Sequence, residues 1–420
     1  MKRVKQFVAV VGVLVSAVFT ANGLRPLFKR GYPSLHSFAY GVFASELPLQ
    51  FLAPQPLALA ALSRGLGRRV GPFVWLVAGL SWLGLLDLHR LGTRSDRPLA
   101  KALDEGLGPE RRGDSAGLWQ PPAAGPTKRP GVVRMFRIYR NYATGSSDVS
   151  YGEFGRKNHL DIWRRQDLPR DGRAPVLLQI PGGAWILGSK RGQAHPLMSH
   201  LAERGWVCVS INYRLSPRST WPDHIVDVKR AIAWVKEHIA EYGGDPDFIA
   251  VTGGSAGGHL SSLAALTPNL PEFQTGFEDV DTTVQAAVPF YGVYDFSKRD
   301  TSVHPMMLPM LEQYVFKQSR RKFPDAYRAA SPVAYAGPDA PPMFVLHGTN
   351  DSLIPVEQAR RFVTRLREVS RQPVVYAELP RAQHGFDTFG SPRSAHSAVA
   401  VEQFLAEVYA RSGRLTDAVT

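Results

Sequence analysis

Residues Phe248 to Leu260 read FIAVTGGSAGGHL: an apolar run, then Gly253-Gly254-Ser255-Ala256-Gly257, then a segment of helical character. The pattern predicts a strand, a sharp turn and a helix with Ser255 at the apex. Glycines two residues either side of the serine let strand and helix approach closely, and a strained turn holds the hydroxyl clear of a sheet. Such a serine suits acyl transfer. A phosphate-cradling loop does not fit, because no Gly-Lys-Ser/Thr follows.

Working outward, strand-like and helix-like segments alternate. Strands are expected at Leu160–Arg164, Pro175–Ile180, Val207–Tyr213, Ala286–Tyr291, Pro342–His347 and Val374–Glu378. Helices are expected at Leu197–Glu203, Asp223–Tyr242, Pro355–Val369 and Ala395–Tyr409, the second with Ile225, Val228, Ile232, Val235 and Ile239 on one side. This alternation predicts an α/β fold with a mostly parallel sheet covered by helices on both faces. Chemistry then belongs beyond the C-terminal strand ends.

A nucleophilic Ser255 needs a base, and the base needs a carboxylate to orient it. On such a sheet the order is Ser, then Asp or Glu, then His, each in a loop after a later strand. The strand at 342–347 is followed by His347-Gly348-Thr349-Asn350-Asp351, and the strand at 374–378 leads into Ala382-Gln383-His384-Gly385-Phe386. Asp351 and His384 are therefore the candidate acid and base. Asp351 could instead cap the helix near Pro355, and Glu357 is a second carboxylate nearby. His347 and His396 are rival imidazoles, but the first precedes the acid loop and the second lies inside a helical run. The developing oxyanion needs N–H donors. One is the N–H of Ala256; others are expected from the loop Pro181-Gly182-Gly183-Ala184-Trp185 after the strand at 175–180.

The 420-residue chain is 44% apolar, enough for a sizeable core. Its only cysteine, Cys208, lies in an apolar run, which excludes an intramolecular disulfide framework and reads as a packed thiol. The net charge of +14 is uneven: residues 1–130 hold 17 Lys/Arg against 7 Asp/Glu, and residues 131–420 hold 33 against 29. The excess flanks apolar stretches, which favours membrane-flanking charge over a nucleic-acid groove. MKRVKQ is followed by FVAVVGVLVSAVFTA without a small-x-small cleavage site, and reads as an uncleaved anchor. Val70–Leu88 reads as a further span. Ser37–Leu62 is doubtful, since Glu46, Pro48, Pro54 and Pro56 interrupt it. Basic residues at every flank leave the orientation open. The expected organisation is a hydrophobic membrane-associated region at 1–90, a Gly/Pro-rich linker at 91–130 and a catalytic domain at 131–412.

The elbow GGSAGG, the loop PGGAW, NYRLSP at 212–217, WPDHIVDV at 221–228, YGGDP at 242–246, HGTND and QHGF together resemble the α/β-hydrolase superfamily. More narrowly they resemble hormone-sensitive-lipase-like and feruloyl-esterase-like carboxylesterases. With its apolar N-terminal segments, the chain is similar to the membrane-associated lipases and esterases of mycobacteria and related actinobacteria. The resemblance covers about residues 150–410. It implies an α/β-hydrolase fold with a small cap and a serine carboxylesterase or lipase with the triad Ser255, Asp351 and His384. It further implies an oxyanion hole of the Gly183, Ala184 and Ala256 N–H groups, and a structural Asp227. Two departures stand out: Pro181 replaces the usual His of the loop, and Ala184 the third Gly. The segment 295–330, with Met306, Met307, Leu308, Met310, Leu311 and Phe316, could form the cap and line an acyl pocket. The expected partners are an ester or lipid substrate and, through the N-terminal segments, membrane lipids, with no nucleic acid. No metal or cofactor is expected. An acyltransferase or an amidase would use the same triad, and a noncatalytic hydrolase-fold binding protein at the membrane is the reading from a different class.

Overall fold

The alternating apolar runs form one eight-stranded sheet: β1 (Val149–Ser150), β2 (His159–Trp163), β3 (Ala174–Ile180), β4 (Val207–Ile211), β5 (Gly244–Gly254), β6 (Ala286–Phe290), β7 (Met343–Gly348) and β8 (Val374–Leu379). The computed structural model describes residues 2–66, 71–108, 142, 146–297 and 304–412. The strand order is β1-β2-β4-β3-β5-β6-β7-β8. β1, β2 and β4 pair antiparallel, and the rest of the sheet is parallel. The fold is α/β as expected, with β5 central.

Six helices precede the sheet: α1 (Lys2–Leu24), α2 (Pro33–Glu46), α3 (Pro48–Leu52), α4 (Pro54–Leu66), α5 (Pro72–Thr93) and α6 (Asp96–Leu107). Among the described residues, helices of six residues or more then follow the strands: α7 (His195–Glu203), α8 (Asp223–His238), α9 (Ala256–Leu266), α10 (Pro324–Ala329), α11 (Glu357–Val369) and α12 (Pro392–Arg411). Period two along each strand sends alternate side chains to opposite cores. Ile249 and Val251 of β5 meet α8, α9 and α11 in one core. Phe248 and Ala250 of the same strand meet α6, α7 and α12 in the other.

The prolines that made Ser37–Leu62 doubtful act as helix starts. Pro48 and Pro54 are the first residues of α3 and α4, and Pro56 lies in the first turn of α4, where a missing N–H costs little, so the stretch breaks into short helices there. Two stretches, Gln6–Leu24 and Pro72–Leu107, contain helix long and apolar enough to cross a membrane, a test that a signal sequence also meets. Only 28% and 22% of their apolar windows are buried, so neither is an ordinary core helix. α1 and α5 run side by side in the same direction, since Ser16 and Thr20 meet Ser81 while Gly23 lies against Leu88. A Cβ at Gly84 would come 2.5 Å from Thr20, so a glycine is what lets these helices approach.

The expected linker at 91–130 begins instead as folded chain. Leu99, Ala102, Leu103 and Leu107 recur at helical spacing and are buried in the sheet's second core. α6 lies so close to β8 that a Cβ at Gly106 would stand 2.9 Å from Val375 Cα. Residues 109–130, like the expected domain start at 131, lie outside the described residues. So do 298–303 of the expected cap. In the rest of the cap, Leu311, Val315 and Phe316 fill the first core beside Trp221 and Tyr327. Met306, Met307, Leu308 and Met310 are half-buried.

Candidate active site

β5 ends at Gly254 and α9 begins at Ala256, leaving Ser255 alone at the turn with φ 59° and ψ −119°. A left-handed φ on a non-glycine residue costs roughly 1–3 kcal/mol and must be held by its surroundings. Here the Ser255 N–H donates to Phe290 O (3.0 Å), and Gly257 packs so closely on β3 that a Cβ would lie 2.0 Å from Ile180 O. The serine side chain is only half-buried.

The β7 and β8 loops bring Asp351 and His384 together. His384 Nδ1 lies 2.7 Å from Asp351 Oδ2. The aspartate side chain is wholly shielded, at 0% exposure, and that of the histidine nearly so, at 8%. Leu353 N–H and Ile354 N–H donate to Asp351 Oδ1 (2.9 and 2.8 Å). Burial alone would raise the Asp351 pKa. The charge and hydrogen bonds of His384 and His347 outweigh it and hold the carboxyl well below its usual range. An ionised carboxylate only accepts, so His384 Nδ1 carries a proton and donates it to Asp351 Oδ2. Among the described contacts, none joins Ser255 Oγ to His384 directly. Tyr291, just past the end of β6, stands against the imidazole and the end of the elbow strand: its ring is 4.5 Å from the imidazole, and a Cβ on Gly254 would lie 2.6 Å from its hydroxyl.

Sequence reasoning passed over several residues here. His347, weighed only as a rival base, places Nε2 3.2 Å from Asp351 Oδ2 and 3.0 Å from Ile354 O, bracing the acid rather than acting as base. Gln383 Oε1 accepts from Ser352 N–H (2.8 Å) and His384 N–H (3.0 Å), tying the two loops together. Tyr291 sits at a strand end as Ser255, Asp351 and His384 do, and that position was its only signal. His396 lies within α12.

The loop after β3 holds Gly183, Ala184 and Trp185 all at positive φ (128°, 54° and 61°). Gly182 backs onto the elbow strand, where a Cβ would lie 2.3 Å from Gly254 O. None of the described hydrogen bonds uses the Gly183 or Ala184 N–H. Ala256 is the first residue of α9, where amides lack helical partners. Pro181, the departure from the usual histidine, is fixed through its carbonyl by Tyr213 Oη (3.0 Å). Trp185 Nε1 donates to His259 Nδ1 (3.1 Å). Trp can only donate, so His259 carries its proton on Nε2 and gives it to Ala330 O (2.7 Å). Asp227 is buried and paired with Arg214 through both carboxylate oxygens. Burial pushes the Cys208 thiol up and leaves it an inert packing group. Among the described residues no group of His, Cys, Asp and Glu is placed to hold a metal ion.

Comparison with known proteins bears on this geometry. The BD-FAE family model matches residues 160–366, from β2 to α11. The chain is 64% identical over 408 residues to the probable carboxylic ester hydrolase LipM of Mycobacterium tuberculosis, covering 97% of this chain and 94% of that protein. The chain belongs to the BD-FAE family of α/β-hydrolase esterases. It is 47% identical to the esterase LipQ of the same organism, over 92% of this chain and 87% of LipQ. Among solved structures, Thermogutta terrifontis esterase 2 with bound butyrate superposes with a TM-score of 0.53 at 27% identity, over 63% of this chain and 95% of that one. The same esterase has been solved phosphonylated by sarin (TM-score 0.54, 26% identity, 63% of this chain and 94% of that one). As a BD-FAE protein the chain is a carboxylic ester hydrolase of the serine type. The LipM match runs through the N-terminal helices as well as the sheet.

Proposed function

We propose that Ser255, His384 and Asp351 form the catalytic triad of this esterase, and that Gly183, Ala184 and Ala256 supply its oxyanion hole. The observation that carries this is the shielded 2.7 Å Asp351–His384 pair beyond β7 and β8, on the same sheet edge as the strained serine. His384 Nε2 takes the Ser255 proton as Oγ attacks the ester carbonyl, and Asp351 stabilises the imidazolium. The three N–H groups receive the negative charge that develops on the carbonyl oxygen. His384 then gives its proton to the leaving alcohol. Water deprotonated by His384 releases the acid and restores Ser255.

The proposed substrates are short-chain acyl esters, by analogy with the butyrate held by the Thermogutta esterase. We place the enzyme at a membrane. Of the 27 exposed large apolar side chains among the described residues, 21 lie between Val4 and Leu86, a concentration that water-facing surface does not favour. Ser16, Thr20, Ser81, Gln55 and Trp82 link α1, α4 and α5 through hydrogen bonds inside this layer, as polar residues do between helices in lipid.

The test is hydrolysis of p-nitrophenyl esters from acetyl to palmitoyl by the detergent-solubilised full chain and its Ser255→Ala variant. Turnover confined to the unsubstituted chain and strongest on short acyl groups is expected. Turnover surviving in Ser255→Ala overturns the triad. Release from membranes by alkaline carbonate would overturn the membrane reading alone.

A further inference from the structure

The N-terminal helices do more than precede the catalytic domain. The catalytic loops themselves bind them. Asn350, next to Asp351, donates through Nδ2 to the last carbonyls of α1, Gly23 O (3.2 Å) and Leu24 O (3.1 Å), occupying acceptors that a helix end leaves open. Ser352 Oγ, on the other side of Asp351, donates to Ser34 O in the first turn of α2 (3.2 Å). Gly41 of α2 passes so close to Gln383 that a Cβ would stand 3.0 Å from its Nε2. His304, at the foot of the cap, accepts from Met306 N–H through Nδ1 (3.2 Å), so its Nε2 donates to Ser34 Oγ (2.9 Å). At its far end, α2 buries Glu46 against Arg393 and Ser391.

This docking presents one side chain to the chemistry. The Phe38 ring stands edge-on to the His384 imidazole at 5.7 Å between centroids. Phe38 is itself half-buried, so part of it borders open space. The proton that leaves His384 goes to the departing alcohol oxygen, which must come within about 2.6–3.2 Å of Nε2. A ring one side chain away from the imidazole therefore borders the alcohol half of the ester, while the acyl carbonyl is held at the Gly183–Ala184 loop.

Taking the triad as proposed above, we infer that α2 is a wall of the catalytic site and that Phe38 sets the size of the alcohol group the enzyme accepts. The apolar N-terminal layer thus selects substrate, and favours esters of apolar alcohols.

The experiment uses the full chain in detergent with two ester series. In one the acyl group is butyryl and the alcohol runs from methanol through butanol to benzyl alcohol. In the other the alcohol is p-nitrophenol and the acyl group runs from acetyl to hexanoyl. Phe38→Ala is expected to raise the benzyl-to-methyl ratio of kcat/KM by about fivefold or more, the scale on which pocket shape discriminates apolar groups, and Phe38→Trp to lower it. Both variants should leave the acyl ratios in place. A wall with a merely structural role would change every ester alike. Equal change across both series, or benzyl-to-methyl ratios unmoved in both variants, overturns the inference. Ser255→Ala run beside them separates the two levels: residual turnover there overturns the triad, whereas a dead Ser255→Ala with unmoved Phe38 ratios overturns only the role of α2.

Discussion

Glu46→Ala tests whether α2 is welded to the catalytic domain. Arg393, at the start of α12, has 0% exposure, and Glu46 has 3%. The carboxylate accepts from Arg393 Nη1, Ser391 Oγ (2.8 Å) and Ser45 Oγ (3.0 Å). Removing it leaves a shielded guanidinium with one long contact, Nη2 to Pro380 O at 3.4 Å. Breaking a buried pair from one side costs about 3–5 kcal/mol, because the remaining charge is left uncompensated. At about 2–4 °C per kcal/mol for a domain of this size, Tm should fall by roughly 6–20 °C. Thermal unfolding of the full chain in detergent, followed by tryptophan fluorescence, reads the shift. Glu46→Leu combined with Arg393→Met should recover most of the loss, since apolar residues of similar volume can replace such a pair at little cost. A Tm loss below about 2 °C for Glu46→Ala, or single and double variants that are simply additive, would refute the docking.

Asp351→Asn should leave the fold in place yet lower kcat by up to about 10⁴-fold with KM little changed, because an amide no longer holds the Nδ1–H tautomer of His384; stopped-flow ester hydrolysis measures it. Gly182→Ala drives a Cβ to within 2.3 Å of Gly254 O, two backbones that cannot separate without opening the elbow, so both Tm and kcat should drop, checked by unfolding and turnover on one preparation. Burial lowers the His259 pKa from 6.5 to about 4. Between those values the unfolded chain takes up a proton that the folded chain refuses, so stability falls as pH drops from about 6.5 towards 4. The full difference is about 3 kcal/mol at roughly 1.4 kcal/mol per pH unit. A Tm series from pH 7 to 4 should show a slope of this sign, and His259→Gln should make it shallower while His224, whose pKa burial lowers to about 3, keeps the remainder.

The sheet and its strand-end loops were legible because each carries a local signal. Apolar runs alternate with helical periodicity, and the elbow and the loop after β3 announce themselves through glycines that close backbone contacts require. Asp351 and His384 could be found because strand order constrains where they fall. The docking of α1 and α2 had no such signal. Asn350 and Gly23 are 327 positions apart in the chain, and Glu46 read only as an interruption in an apolar stretch. Nothing in periodicity tells a polar residue that breaks a span from one that pins a helix to a distant loop. α6 was lost for a related reason: its amphipathic pattern adjoins a Gly/Pro-rich tract, and composition averaged over both hides the helix.

The role of Ser255 can be tested most directly by covalent capture. The full chain is treated with a fluorophosphonate, digested and read by mass spectrometry while ester turnover is followed in parallel. One phosphonyl adduct on the peptide containing Ser255, formed in step with loss of turnover and absent from Ser255→Ala, is the result our account predicts. Turnover lost with the adduct on another residue, or turnover intact while Ser255 is fully modified, would contradict it.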